Sequence, residues 1–175
     1  MAGIDLDADL YPGLFAAGWR IGTPLAECGE LLRGATQIEY QSDFPLRDAI
    51  DQNTGVLVVR NTLPLGSGNT VIFFGADVVR FDFNAAGDLF CIWAFEGYRG
   101  RALGRIGIGS PLQEALSEFP LFYDSGDEMY YPNRELAPHA PTGIAFVAHE
   151  DEQPGRMPVL GISIHNWDIM RRTRS

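Results

Sequence analysis

The segment Ile21-Gly22-Thr23-Pro24-Leu25-Ala26-Glu27 returns 87 positions later as Ile108-Gly109-Ser110-Pro111-Leu112-Gln113-Glu114. A pattern of apolar residue, Gly, hydroxyl, Pro, Leu, any residue and Glu has the chemistry of a helix start. Thr23 and Ser110 can cap orphan amides, and Pro24 and Pro111 suit a first turn that needs no N–H. Glu27 and Glu114 meet the positive end of the helix dipole, and Gln113 can close a capping box with Ser110. The echo therefore predicts two short helices. The first carries Leu25, Cys28 and Leu32 on one face and stops at Gly34. The second carries Leu112, Ala115, Leu116 and Phe119 and stops at Pro120.

Strand patterns follow each helix. After the first they fall at 56–60, 71–74, 78–83 and 89–95, and after the second at 128–131, 144–148 and 159–165. In Val78-Val79-Arg80-Phe81-Asp82-Phe83 charges alternate with apolar side chains, as in a half-buried strand. By contrast, Leu89-Phe90-Cys91-Ile92-Trp93-Ala94-Phe95 is apolar on both faces and should lie centrally or beneath a second layer.

The expected fold class is α+β: two tandem helix-plus-antiparallel-meander repeats, 1–100 and 101–175, forming an extended sheet with the helices on one face of a compact unit. Shared capping chemistry without a duplicated unit would give the same echo.

Composition removes several kinds of chemistry. The chain of 175 residues has 13 basic side chains, all Arg, against 23 acidic ones, a net charge of -10. Without Lys there is no Schiff-base amine, P-loop Lys or kinase strand Lys. An acidic chain whose only cluster of cations, Arg171, Arg172 and Arg174, is at its end lacks the patch that phosphates require, so nucleic acid is not an expected partner. Cys28 and Cys91 read as buried free thiols. No apolar run approaches the roughly 18 residues of a membrane span. The first residues lack the basic and apolar regions of a secretion signal, so the expected location is cytoplasmic.

The glycine-rich Gly104-Arg105-Ile106-Gly107-Ile108-Gly109 lacks the dinucleotide spacing and reads as tight turns. His139, His149 and His165 have no metal-ligand or catalytic spacing, and Pro154 forbids the helix that a zincin reading of His149-Glu150 needs. No cofactor is expected and no catalytic residue is assigned. Two acidic clusters remain as a candidate docking surface: Asp124, Asp127 and Glu128 beside Tyr130 and Tyr131, and the run Glu150, Asp151 and Glu152. Carboxylates would steer a basic partner and tyrosines would anchor it. A small-ligand pocket lined by Trp19, Trp93, Phe95 and Tyr98 is the alternative, and an enzyme without a recognisable motif is a third.

The run from Glu96 to Leu112, Glu-Gly-Tyr-Arg-Gly-Arg-Ala-Leu-Gly-Arg-Ile-Gly-Ile-Gly-Ser-Pro-Leu, resembles the central segment of small bacterial immunity proteins, the antidotes of contact-dependent growth inhibition and related polymorphic toxins. Tyr11-Pro12-Gly13, Ala17-Gly18-Trp19-Arg20-Ile21-Gly22 and Gly143-Ile144-Ala145-Phe146 fit the same outline. In topology the chain is also similar to the tandem modules of β-lactamase inhibitor protein and to BamE/SmpA. The first resemblance implies a cytoplasmic toxin inhibitor whose partner is the C-terminal domain of a cognate toxin. That domain is expected to be a basic nuclease, since nucleases carry positive charge to hold phosphates.

Overall fold

A computed structural model describes residues 3–41, 45–61, 68–149 and 156–171. The small strands β1 (Phe15–Ala16) and β2 (Trp19–Arg20) form a hairpin near the N-terminus. Two antiparallel meanders make up most of one nine-stranded sheet. The first runs through β4 (Val56–Arg60), β5 (Thr70–Phe74), β6 (Val79–Phe83) and β7 (Leu89–Ala94), and the second through β8 (Leu121–Asp124), β9 (Met129–Pro132), β10 (Ile144–Val147) and β11 (Gly161–His165). They meet through their last strands, with β7 antiparallel to β11. A further strand, β3 (Thr36–Glu39), lies parallel to β4 at one edge, so the sheet is mixed. The crossover from β3 to β4 contains α1 (Leu46–Gln52).

The doubly apolar segment does sit at the centre: β7 is the middle strand of the sheet, flanked by β6 and β11. Because side chains alternate along a strand, its neighbours sort into two faces. Phe81, Ile92 and Ile164 stand in register on one face, with Val79, Ala94 and Ile162 beside them. This face carries the main core, which also takes Cys28, Ile106, Leu112, Ala115 and Phe146. On the other face Asp82, Cys91 and His165 are in register, and so are Arg80, Trp93 and Ser163.

The echoed segments occupy matching places. Gly22 N–H donates to Leu89 O, Leu89 N–H to Thr23 O, and Leu25 N–H to Gly87 O. In the same way Gly109 N–H donates to Val159 O, Val159 N–H to Ser110 O, and Leu112 N–H to Met157 O. Each segment thus lies against the chain entering the last strand of its own meander. Gly22 and Gly109 have φ of +92° and +82°, a region that favours glycine.

The capping expectation fails. Thr23 Oγ1 donates to Arg20 O at 2.8 Å, and Ser110 Oγ accepts the Gly107 amide at 3.1 Å, so neither hydroxyl caps a helix. Pro24 and Pro111 instead form isolated bridges with Asp88 and Pro158. The helical element after each proline is short: a 3-10 turn, Leu25–Cys28, in the first half and α2 (Gln113–Leu116) in the second.

The helices do not all lie on one face, because α1, which the echo does not announce, packs apart from the other two. Cys28 of the first turn and Ala115 of α2 belong to the main core, whereas Ile50 of α1 packs with Leu57, Val59, Val71 and Phe73. Those strand residues alternate with Val58 and Ile72 of the main core and therefore lie on the opposite face. The final helix is α3 (Trp167–Met170), where Asn166 Oδ1 accepts the Asp168 amide at 3.0 Å, as an N-cap does. Among the described residues no helix is long and apolar enough to cross a membrane.

Candidate functional site

The first acidic cluster forms the tip of the β8–β9 hairpin. Asp124, Asp127 and Glu128 are all exposed there. Asp124 Oδ1 accepts the Gly126 amide at 2.8 Å, which fixes the turn, and Glu128 has φ +59°. Tyr131 donates its hydroxyl to the Asp127 carboxylate. Burial, reinforced by that hydrogen bond, pushes the Tyr131 phenol well above its ordinary range.

The two tyrosines proposed as anchors separate. They are consecutive in a strand and so point to opposite faces. Tyr131 is half-buried beside the acidic tip, while Tyr130 lies in the main core with its ring 4.9 Å from Tyr123. Tyr130 is therefore not a surface anchor. Glu150, Asp151 and Glu152 lie outside the described residues. His149, just before them, lines a 440 Å³ cleft together with Asp127 and Glu128.

Tyr131 connects this tip to a group of aromatic rings that sequence reasoning did not assemble. Phe122 stacks on Tyr131 at 5.7 Å and 24°, and Tyr131 meets His165 nearly edge-on at 5.8 Å and 72°. His165 in turn stacks on Trp167 at 4.2 Å and 21°. These four side chains border a cleft of about 610 Å³, closed by Gly143, Ile144 and the loop residues Asn133 to Glu135.

His165 is buried, and its Nδ1 lies 3.0 Å from the Ser163 hydroxyl. Burial lowers its pKa to about 4, so the ring is neutral at pH 7. A sequence signal for this site did exist. In Gly161-Ile162-Ser163-Ile164-His165, small or polar residues alternate with isoleucine, marking a strand with one apolar and one polar face.

Farther along the same face, Arg80 pairs with Asp77 through both ends of its guanidinium and lies over the rings of Phe73, Trp93 and Phe95 at 5.2, 5.6 and 5.0 Å. Asp82 Oδ2 accepts the Trp93 indole N–H at 2.7 Å, while its buried Oδ1 has no hydrogen-bond partner among the described residues. Burial raises the Asp82 carboxyl to about 6. Burial likewise pushes the Cys28 thiol up to about 11 and that of Cys91 well above its usual range. Both cysteines are free and buried, and their thiols stay protonated at neutral pH.

The ligand pocket expected from four aromatic residues does not form. Trp19 packs 5.9 Å from Phe81 in the main core, and Tyr98 donates its hydroxyl to Ala8 O while accepting the Ala17 amide. Trp93 and Phe95 stack at 5.9 Å beside Arg80, on the opposite face from Trp19 and Phe81. Among the described residues no group of three or more His, Cys, Asp or Glu side chains is placed to hold a metal ion. Comparison with protein-family models, curated proteins and solved structures gives no match to this chain.

Proposed function

We propose that this chain is an immunity protein, a cytoplasmic inhibitor that binds the C-terminal domain of a cognate toxin and occludes its active site. The observation that carries the reading is the β8–β9 tip, where Asp124, Asp127 and Glu128 are exposed together and Asp127 fixes the half-buried Tyr131 beside them. A rigid aromatic next to concentrated negative charge suits a basic surface. The net charge of -10 favours the same kind of partner, and a nuclease that must hold phosphates is the natural one. The inhibitor would act by covering that cationic groove, with no chemical step of its own.

In this reading the chain is built from two related halves. Support comes from the three matching hydrogen bonds made by each echoed segment and from the two meanders joined through their last strands. Duplication would supply a broad rigid sheet, while the unlike loops of the second half supply the contact surface.

The test is to co-express the chain with the C-terminal domain of any large secreted protein whose gene adjoins its own. A stable complex, loss of toxin activity and association that slows as salt rises are expected. A folded chain that neither binds nor inhibits that domain would sink the proposal. A salt-independent association rate would remove the electrostatic part.

A further inference from the structure

The cleft beside the acidic tip has features that docking of a basic protein leaves unused. Its walls are two aromatic stacks, Phe122 on Tyr131 and His165 on Trp167, set nearly perpendicular where Tyr131 meets His165 at 72°. The floor is fixed. Gly143 O accepts the amides of Gly13 at 2.8 Å and His165 at 3.0 Å, and a Cβ on Gly143 would stand 2.5 Å from both Gly13 Cα and His165 O. A space of about 610 Å³ with such walls is preformed and can take a molecule of two fused rings.

Charge narrows the class of occupant. Among the described residues, the charged ones lining the cleft are Arg134 and Glu135, one of each sign, and the Arg134 guanidinium reaches Pro138 O at 3.3 Å. The rim therefore selects neither an anion nor a cation. Asn133 Oδ1 is already used by the amides of Glu135 and Leu136. The buried polar group on the floor is the imidazole of His165, whose Nδ1 is engaged by Ser163, leaving Nε2 as its hydrogen-bonding atom. An occupant that displaces water from this floor has to replace a hydrogen bond, or the desolvated group counts against binding.

We infer that this cleft is a binding site for a small, uncharged, planar nitrogen heterocycle, which lies flat against the Phe122–Tyr131 stack, meets the Trp167 ring edge-on and hydrogen-bonds through its edge to His165. The site shares Tyr131 with the proposed docking tip, but its opposing rim charges and neutral floor are not what a cationic protein surface requires. A free small molecule is the occupant, rather than a side chain of a partner.

Adenine is the probe, titrated into the full chain at pH 7 while the side-chain NMR signals of His165, Trp167 and Phe122 are followed. Saturable shifts confined to these residues are expected, with none from cyclohexanol, which is uncharged but not planar, or from benzoate, which is planar but charged. Phe122→Ala should weaken adenine binding about five- to tenfold. Phe122 is 45% exposed, so its removal should leave thermal unfolding nearly unchanged. A second variant, His165→Phe, keeps the stack while removing the hydrogen bond and should weaken binding about tenfold. The inference is overturned if adenine gives no saturable shift, if its shifts map outside the cleft, if cyclohexanol or benzoate binds equally well, or if Phe122→Ala leaves adenine affinity unchanged.

Discussion

The two faces of the central strands are built from different chemistry on a shared backbone. On one, Phe81, Ile92 and Ile164 stand in register and are fully buried. On the other, the partners are Asp82, Cys91 and His165, also buried yet carrying titratable groups. The first face gains stability from transfer of hydrocarbon, worth about 1.5–3 kcal/mol per large side chain. The second loses some of that gain in keeping polar groups dry. Function is better sought where a fold retains such a cost, and the aromatic cleft opens on that second face at His165.

Breaking the apolar face should have the largest effect. Phe81 contacts the rings of Trp19, Phe74 and Phe83, and Phe81→Ala is expected to cost about 3–5 kcal/mol in urea denaturation. A loss below about 1 kcal/mol would contradict its place at the core.

The polar face should reveal itself through pH instead. The Asp82 carboxyl is raised from 3.8 to about 6, so the folded state holds its proton more tightly than the unfolded state does. Its contribution is therefore complete below about pH 4 and is lost as pH rises through 6. His165 is lowered from 6.5 to about 4; its contribution is complete above about pH 6.5 and is lost as pH falls through 4. Each effect is on the order of 3 kcal/mol. Stability measured from pH 4 to 7 should show that Asp82→Asn removes a loss on the alkaline side and His165→Phe one on the acid side. Parallel pH profiles for wild type and both variants would erase the contrast.

A smaller effect is expected at Gly143, which has φ +77° and close backbone neighbours on the cleft floor. Gly143→Ala should destabilise by more than about 1 kcal/mol and perturb the His165 signals, whereas Gly34→Ala, at φ +81° with open space around it, should change stability but leave His165 alone. The smallest stability change belongs to the acidic tip. Asp124→Asn combined with Glu128→Gln should alter folding by less than about 0.5 kcal/mol while slowing association with a basic partner several-fold at low salt. An unchanged rate would detach the tip from the proposed function.

The apolar face was the legible one. Continuous hydrophobicity at 89–95 marks a central strand, and the pattern at 56–60 gives β4 with its observed ends. β8 escaped because it has only four residues, Leu121–Asp124, and merges with a Tyr- and acid-rich turn. β3 and α1 escaped because a parallel edge strand and its crossover are stabilised by partners distant in sequence; Ile50, for instance, packs on Val71 and Phe73. The Gly-hydroxyl-Pro echo is visible in the sequence, but its structural role is not local. Its backbone bonds to a strand entry, whereas local chemistry alone suggests a helix cap.

In the site, charge identified the acidic tip but not the cleft. Strand alternation already implied that Tyr130 and Tyr131 could not both be anchors. Tyr131, His165 and Trp167 come together only through the pairing of β9 with β10 and of β10 with β11, which no local pattern encodes.

The β7–β11 seam also sets a timetable for biosynthesis. β7 ends at Ala94 and β11 begins at Gly161, so a ribosome makes the partner roughly 65 residues later, about 3–13 s at ordinary elongation speeds. Throughout that interval the most apolar strand of the nascent chain has an open edge, a template for pairing with a neighbouring chain. A chain truncated after the first meander should therefore aggregate on the ribosome or recruit chaperones, and completing β11 ends that exposure.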